Sequence, residues 1–164
     1  MSESRSKAWY VARRGELLVQ QLLLDLGASY VSSLQSPDLG LDYLAFFSRD
    51  DRLQRAIGVE AKATEREIGG RFSVPASLLR RFEDSNLPIL LVVADVKRNE
   101  LYFAWLHDSS LLTPRGTGRR PSTYTLKVRL ATAQERERLL DEIFAQEAPA
   151  PQQAAAAGRA SRGG

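Results

Sequence analysis

A glutamate and a lysine two positions apart, Glu60 and Lys62, are the residues in this chain whose types and spacing most directly suggest chemistry. They lie in the stretch Arg55-Ala56-Ile57-Gly58-Val59-Glu60-Ala61-Lys62. As a strand, that stretch divides by face. Ile57, Val59 and Ala61 point one way, and Gly58, Glu60 and Lys62 the other. The two charges then stand about 7 Å apart along one face. Opposite charges flanked by Ile and Val are costly to bury unless they are paired or bound to something. An ion pair at a sheet edge would satisfy them, and so would a bound ion. Upstream, residues 41–47 (Leu-Asp-Tyr-Leu-Ala-Phe-Phe) read as a second, strongly apolar strand with Asp42 at its start. The polar run 48–52 joins the two strands. An antiparallel hairpin of this kind brings Asp42 near Glu60, so that two carboxylates and an ammonium converge, as at a divalent-metal site with a cation beside it.

Composition restricts which metal that is. The chain has no cysteine, and its only histidine is His107. Disulfides, thiolate zinc sites and multi-histidine centres are thereby excluded, and a Ser-His-Asp triad is disfavoured. Oxygen donors remain, which favour Mg²⁺ or Mn²⁺. The 164 residues suffice for one domain. No apolar run reaches the ~20 residues a membrane helix needs, and residues 1–7 are polar with no apolar signal region. We expect a cytoplasmic protein without a membrane partner. The net charge of +3 permits nucleic-acid binding without requiring it. Its distribution is more telling. Between residues 109 and 134 lie Arg115, Arg119, Arg120, Lys127 and Arg129, with no acidic residue among them. They suit either a solvated face or contacts to backbone phosphates.

The elements that must position these groups follow from periodicity. Residues 7–26 form an amphipathic helix, with Val11, Ala12, Leu18, Val19, Leu22, Leu23 and Leu26 on one arc and Gly27 as its stop. Glu16 falls at the border of that arc, where it can reach toward a neighbouring sheet or extend to water. Residues 28–34 are a first short strand, and 35–40 are a turn. After Lys62, residues 64–72 read as a loop carrying Gly69-Gly70. A short helix follows, opened by Ser73-Val74-Pro75 with Ser73 as its cap; Leu78, Leu79 and Phe82 face inward, and Arg80 and Arg81 outward. The continuous apolar run 88–96 has the pattern of a strand buried on both faces, and 101–106 pairs back on it as a hairpin. Asp95 is read as a turn residue outside the site. Residues 108–121 form a long loop, and 123–130 a half-exposed strand with a basic outer face. Thr132-Ala133-Gln134-Glu135 has the form of a capping box opening a last helix. The expected domain spans 1–147, and the Pro-, Ala- and Gly-rich residues 148–164 form a disordered tail.

The expected fold is α/β, a mixed central sheet with flanking helices in the order α-β-β-β-α-β. With Gly40-Leu41-Asp42 opening the second strand and Glu60-Ala61-Lys62 on the third, this order resembles the core of the PD-(D/E)XK nuclease superfamily, the restriction-endonuclease-like fold. Arg14-Gly15-Glu16-Leu17-Leu18 is similar to the first helix of its Holliday-junction-resolvase-like members, and residues up to 106 resemble a prokaryotic family of unassigned function within it. The resemblance covers about residues 7–106. It implies that Asp42, Glu60 and the Ala61 carbonyl hold Mg²⁺ (or Mn²⁺). It further implies that Glu16 bonds the metal directly or through water, and that Lys62 orients the attacking water or stabilises developing charge. The implied activity is phosphodiester hydrolysis in DNA, with RNA as the lesser alternative, and the basic residues of 115–129 with Arg80 and Arg81 would contact phosphates. A homodimer is consistent with the same resemblance. Pro37-Asp38 offers a rival carboxylate to Asp42. The alternative function is a nuclease-fold module that binds nucleic acid or a protein partner without cutting.

Overall fold

In the computed structural model, residues 3–34, 40–50, 53–115 and 121–145 are described. Helix α1 (Glu3–Asp25) buries Val19, Leu22 and Leu23 on one stripe, which Leu26 continues just past its end. Gly27 stops it: with φ at 82° it adopts the left-handed conformation that a side chain disfavours. There the Gly27 and Ala28 amides donate to the Leu24 and Leu23 carbonyls at 2.9 and 3.0 Å. That pair of bonds satisfies carbonyls the helix end would leave open.

The remaining elements are β1 (Tyr30–Ser33), β2 (Tyr43–Arg49), β3 (Leu53–Thr64), β4 (Arg71–Pro75), α2 (Ala76–Phe82), β5 (Ile89–Asp95) and β6 (Glu100–Trp105). They are followed by a 3-10 turn at Ser109–Leu111, β7 (Leu112–Arg115), β8 (Thr123–Lys127), β9 (Arg129–Leu130) and α3 (Ala133–Ala145). Six strands make the central sheet in the order β1-β2-β3-β5-β6-β9. The sheet is mixed. β3 and β5 run parallel, connected through β4 and α2, and the other neighbours are antiparallel. The chain is thus α/β with a mixed central sheet and flanking helices.

β5 explains why both faces are covered. All seven of its residues are buried. Leu90, Val92 and Ala94 pack under α1 and α3 with Phe47, Ile57, Val59, Phe103, Leu139 and Ile143. Ile89, Leu91 and Val93 pack on the opposite face with Leu78, Val74, Leu126 and Val128. Each such side chain contributes about 1.5–3 kcal/mol on burial. The second face is roofed by α2 and by a separate three-stranded sheet in the order β4-β8-β7.

Three expected boundaries change. Ser73-Val74-Pro75 ends strand β4 instead of opening α2, whose N-cap is Pro75 with no side-chain cap bond. The reason is pairing: Ser73 and Pro75 lie opposite Thr125 and Thr123 of β8, and a sheet partner fixes an extended backbone that local capping preference would not. The loop expected over 108–121 contains β7, which completes the same small sheet. The strand expected over 123–130 is divided between two sheets, β8 in the roof and β9 on the central sheet's edge. Residues 146–164, which include the expected tail, lie outside the described residues, as does Asp38.

Candidate active site

β2 and β3 pair from Arg49↔Leu53 to Tyr43↔Val59, and the Asp42 amide adds one more bond to the Val59 carbonyl at 3.0 Å. There β2 ends, while β3 continues to Thr64 beside β5. The edge of β3 beyond Val59 is therefore open on the β2 side. Asp42 fills the first position with its side chain: the Ala61 amide donates to Asp42 Oδ2 at 2.7 Å. A strand residue's amide and carbonyl point to the same side, so the Ala61 carbonyl faces the gap left by β2.

Glu60 and Lys62 point to the roofed face. Glu60 is 3% exposed and accepts a hydrogen bond from Lys62 Nζ. Lys62 keeps 41% of its side chain exposed, so the pair is an inward carboxylate held by a lysine that reaches the surface. On the opposite face lies α1. Gly15 sets its approach: a Cβ there would lie 2.4 Å from Ala63 Cβ and 3.7 Å from Ala94 Cβ. The absence of that Cβ seats the helix directly on β3 and β5 and brings Glu16 to the open edge. Arg13 Nη1 donates to Glu16 Oε2 at 2.9 Å, and both side chains are substantially exposed.

One cleft of about 640 Å³ joins Glu16, Asp42, Ala61 and Lys62, while the Glu60 side chain, turned to the roofed face, is not part of its lining. Lys7, Ala12 and Gly15 also line the cleft. Both of its carboxylates act on Tyr43. Burial raises the Tyr43 phenol above its ordinary value. The Gln20 hydrogen bond, at 3.3 Å, works against that shift, while the charges of Glu16 and Asp42 both add to it. Glu16 from the helix and Asp42 from the strand thus act on the same hydroxyl. A larger groove, about 1030 Å³, lies away from this cleft between α2, the start of β5 and His107; it carries Arg80 but none of Glu16, Asp42, Glu60 and Lys62.

The donors suit a hard divalent cation in kind: carboxylates and a backbone carbonyl, with no sulfur or imidazole. Among the described residues, however, no three acidic or imidazole side chains form a ready-made metal cluster. Each carboxylate has an internal partner: Glu60 has Lys62, Glu16 has Arg13, and Asp42 has the Ala61 amide.

The basic residues singled out for phosphate contact fare unevenly. Arg115 and Lys127 are exposed on the small sheet, and Arg119 and Arg120 lie outside the described residues. Arg129 turns away from any outer basic face. Its two terminal nitrogens donate to Glu142 at 2.8 and 2.7 Å, and its guanidinium lies 4.6 Å over the Phe103 ring. The alternation of residues 123–130 suggested exposure for Arg129, but the step from one sheet to the other reorients it. Arg80 is exposed, while Arg81 donates to the Gly40 carbonyl at 3.1 Å and ties α2 to the approach of β2. Among the described residues of this set, none lines the cleft. Asp95 is fully buried and accepts from the Lys97 and Arg98 amides and from the Arg98 guanidinium, which fits a turn-organising role.

Sequence reasoning missed Gly15, Gln20 and Tyr43. The signals were present. A lone glycine inside a helical pattern suggests close packing, and Gln20 follows Glu16 by one helical turn.

Compared with known proteins, the chain matches no family model, no curated protein and no solved structure.

Proposed function

We propose that this protein is a metal-dependent nuclease that hydrolyses phosphodiester bonds, in DNA before RNA. The observation that carries the reading is that Glu16, Asp42, Ala61 and Lys62 border one cleft, at the place where β2 stops and β3 runs on. Asp42, Glu60 and the Ala61 carbonyl are the groups that would hold Mg²⁺ or Mn²⁺, with Glu16 bonding directly or through water. A bound Mg²⁺ supplies a water of lowered pKa and neutralises charge on the scissile phosphate. The chain's own residues do the positioning. The Ala61 amide fixes the Asp42 carboxylate, so that one oxygen is oriented by the backbone and the other is left for a ligand. Lys62 places a cation beside the phosphate, where it stabilises the negative charge that builds during attack. To hold the metal, Glu60 would have to turn from the roofed face toward the cleft and give up part of its bond to Lys62, which would free the ammonium for substrate. Gly15 and α1 hold Glu16 over the open edge. The resemblance to the PD-(D/E)XK superfamily supports the same assignment of roles.

A second reading has its own support. Glu60–Lys62 and Glu16–Arg13 are complete ion pairs without a metal, as expected for a module of this fold that binds nucleic acid or protein without cutting. Mn²⁺ binding separates the two. The nuclease reading requires saturable Mn²⁺ binding, followed by paramagnetic resonance, that weakens in Asp42→Asn, together with metal-dependent DNA hydrolysis. A protein that binds no Mn²⁺ and cuts nothing would be the module.

A further inference from the structure

Helix α1 carries an aromatic residue that its packing does not use. Trp9 is 69% exposed, the most exposed of the chain's large hydrophobic side chains among the described residues. It stands seven residues before Glu16. Seven residues return to within about 20° of the same direction and advance about 10.5 Å along the axis. Trp9, Ala12 and Glu16 therefore share one flank, and Ala12 and Glu16 both line the cleft. Gln20 continues that flank and reaches the Tyr43 hydroxyl, which shows that it faces the start of β2, where Asp42 lies. Trp9 continues that flank beside the cleft, whose lining runs along α1 from Lys7 and Ala8 to Glu16. Lys7 and Arg13, both exposed, lie two residues before and four residues after it, and each is held in an ion pair, Lys7 with Glu65 at 3.0 Å and Arg13 with Glu16 at 2.9 Å.

We propose that Trp9 is a stacking platform for an unpaired base, and that the nucleic acid entering the cleft has single-stranded character beside the reacting phosphate. An indole offers a face of the right kind for any base, and stacking is tolerant of sequence. Exposed ion pairs are worth about 0–1 kcal/mol, so a phosphate of the backbone that carries the base can take Lys7 or Arg13 from its carboxylate. The spacing is also suitable: about 10.5 Å is about three steps of a stacked strand at about 3.4 Å each. A fully paired duplex presents no free base face, so the platform selects for frayed ends, flaps, gaps or single strands. The inference rests on the reading of the cleft as a nucleic-acid site, and it deepens that reading by naming the substrate class.

The protein contains its own probe. There are two tryptophans, and Trp105 is 6% exposed with its indole N–H donating to Glu142 at 2.8 Å. Trp105 borders a separate groove with His107 and Arg129, so the emission change that is lost in Trp9→Ala is the one that reports Trp9. The experiment titrates the full chain with oligothymidylate and with a blunt duplex, in chelator so that nothing is cut, and compares wild type with Trp9→Ala and Trp9→Phe. We expect oligothymidylate to quench the emission and the blunt duplex to do so far less. Trp9→Ala should abolish the response and weaken binding about 5- to 150-fold, the range that base–aromatic stacking supports, and Trp9→Phe should retain most of the affinity. Equal quenching by the duplex, or binding indifferent to Trp9→Ala, would overturn the proposal. So would a dimer in sedimentation that Trp9→Ala converts to monomer, since the flank would then be covered by a second copy. Trp9-dependent binding by a protein that never cuts would leave this inference standing while refuting the nuclease. Metal-dependent cutting with Trp9-independent binding would do the reverse.

Discussion

Replacing Gly15 by alanine sets two effects of opposite sign against each other. In an isolated helix Gly15→Ala stabilises by about 0.8–1.0 kcal/mol. Here the added Cβ would sit 2.4 Å from Ala63 Cβ, against an ordinary carbon–carbon contact of about 3.5–4.0 Å. Neither atom ends a flexible side chain, so α1 must move off β3 by more than about 1 Å. Overpacking of this kind costs about 1–3 kcal/mol, which leaves a net loss of about 0–2 kcal/mol. The effect on activity is larger in proportion. Glu16 is the next residue, and a displacement of about 1 Å at a reacting centre costs about 100-fold in rate. The structure also supplies the rescue. With Ala63→Gly, the contacts that remain for the new Cβ are Ala63 Cα at 3.5 Å and Ala94 Cβ at 3.7 Å, both ordinary. The double variant should recover activity more fully than stability, because glycine in a strand itself costs about 0.5–1 kcal/mol. Urea denaturation and DNA cleavage, read on the same four proteins, give both quantities. A Gly15→Ala variant that is more stable by about 1 kcal/mol and cuts at the wild-type rate would refute the reasoning, since it would show that α1 is not seated by this contact.

Three further outcomes follow from the same packing. Lys62→Met leaves Glu60 buried without its cation; because Lys62 is itself part-exposed, the loss should be about 1–3 kcal/mol in urea, and a loss below about 0.5 would mean that water already reaches Glu60. Asp95→Ala removes an acceptor for two turn amides and a guanidinium from a fully buried position, and chemical denaturation should show a loss of about 2–3 kcal/mol. Burial pushes the Glu142 carboxyl up, but the hydrogen bonds from Arg129 and Trp105 outweigh it and hold it below its ordinary 4.5. Its folded value thus lies below its unfolded one, so its stabilisation is complete above about 4.5 and is lost as pH falls through the lower folded value; melting temperature should therefore fall less steeply with acid in Glu142→Gln than in wild type.

The comparison of sequence with structure separates local signals from tertiary ones. β5 was legible because a strand buried on both faces must be apolar throughout, and Gly27 because a left-handed helix stop favours glycine. The β2–β3 pairing was legible from two strand patterns joined by the polar run 48–52. The roof was not. Residues 71–75 and 112–115 become strands through pairing with β8, and no local preference of Ser73-Val74-Pro75 reveals that. The orientation of Arg129 was hidden for a related reason: alternation assigns faces within one strand, but residues 123–130 cross between two sheets. At the site, the spacing of Glu60 and Lys62 offered an ion pair as one of its two readings, and that pair is present, whereas the Glu16–Arg13 pair was not anticipated. Glu16 with Arg13 and Glu60 with Lys62 are satisfied by side chains close in sequence, and such pairs compete with any ligand the cleft takes.

Cleavage of a DNA panel tests the central claim most directly. Supercoiled plasmid, blunt duplex, single strands and branched DNA would be incubated with Mg²⁺ or Mn²⁺, using wild type, Asp42→Ala and Lys62→Ala. The expected result is cutting by wild type that requires the metal and disappears in both variants while their folding remains cooperative. Salt-sensitive DNA retention by all three proteins, with no cutting under either metal, would contradict it and leave a binding module whose acidic groups serve the fold.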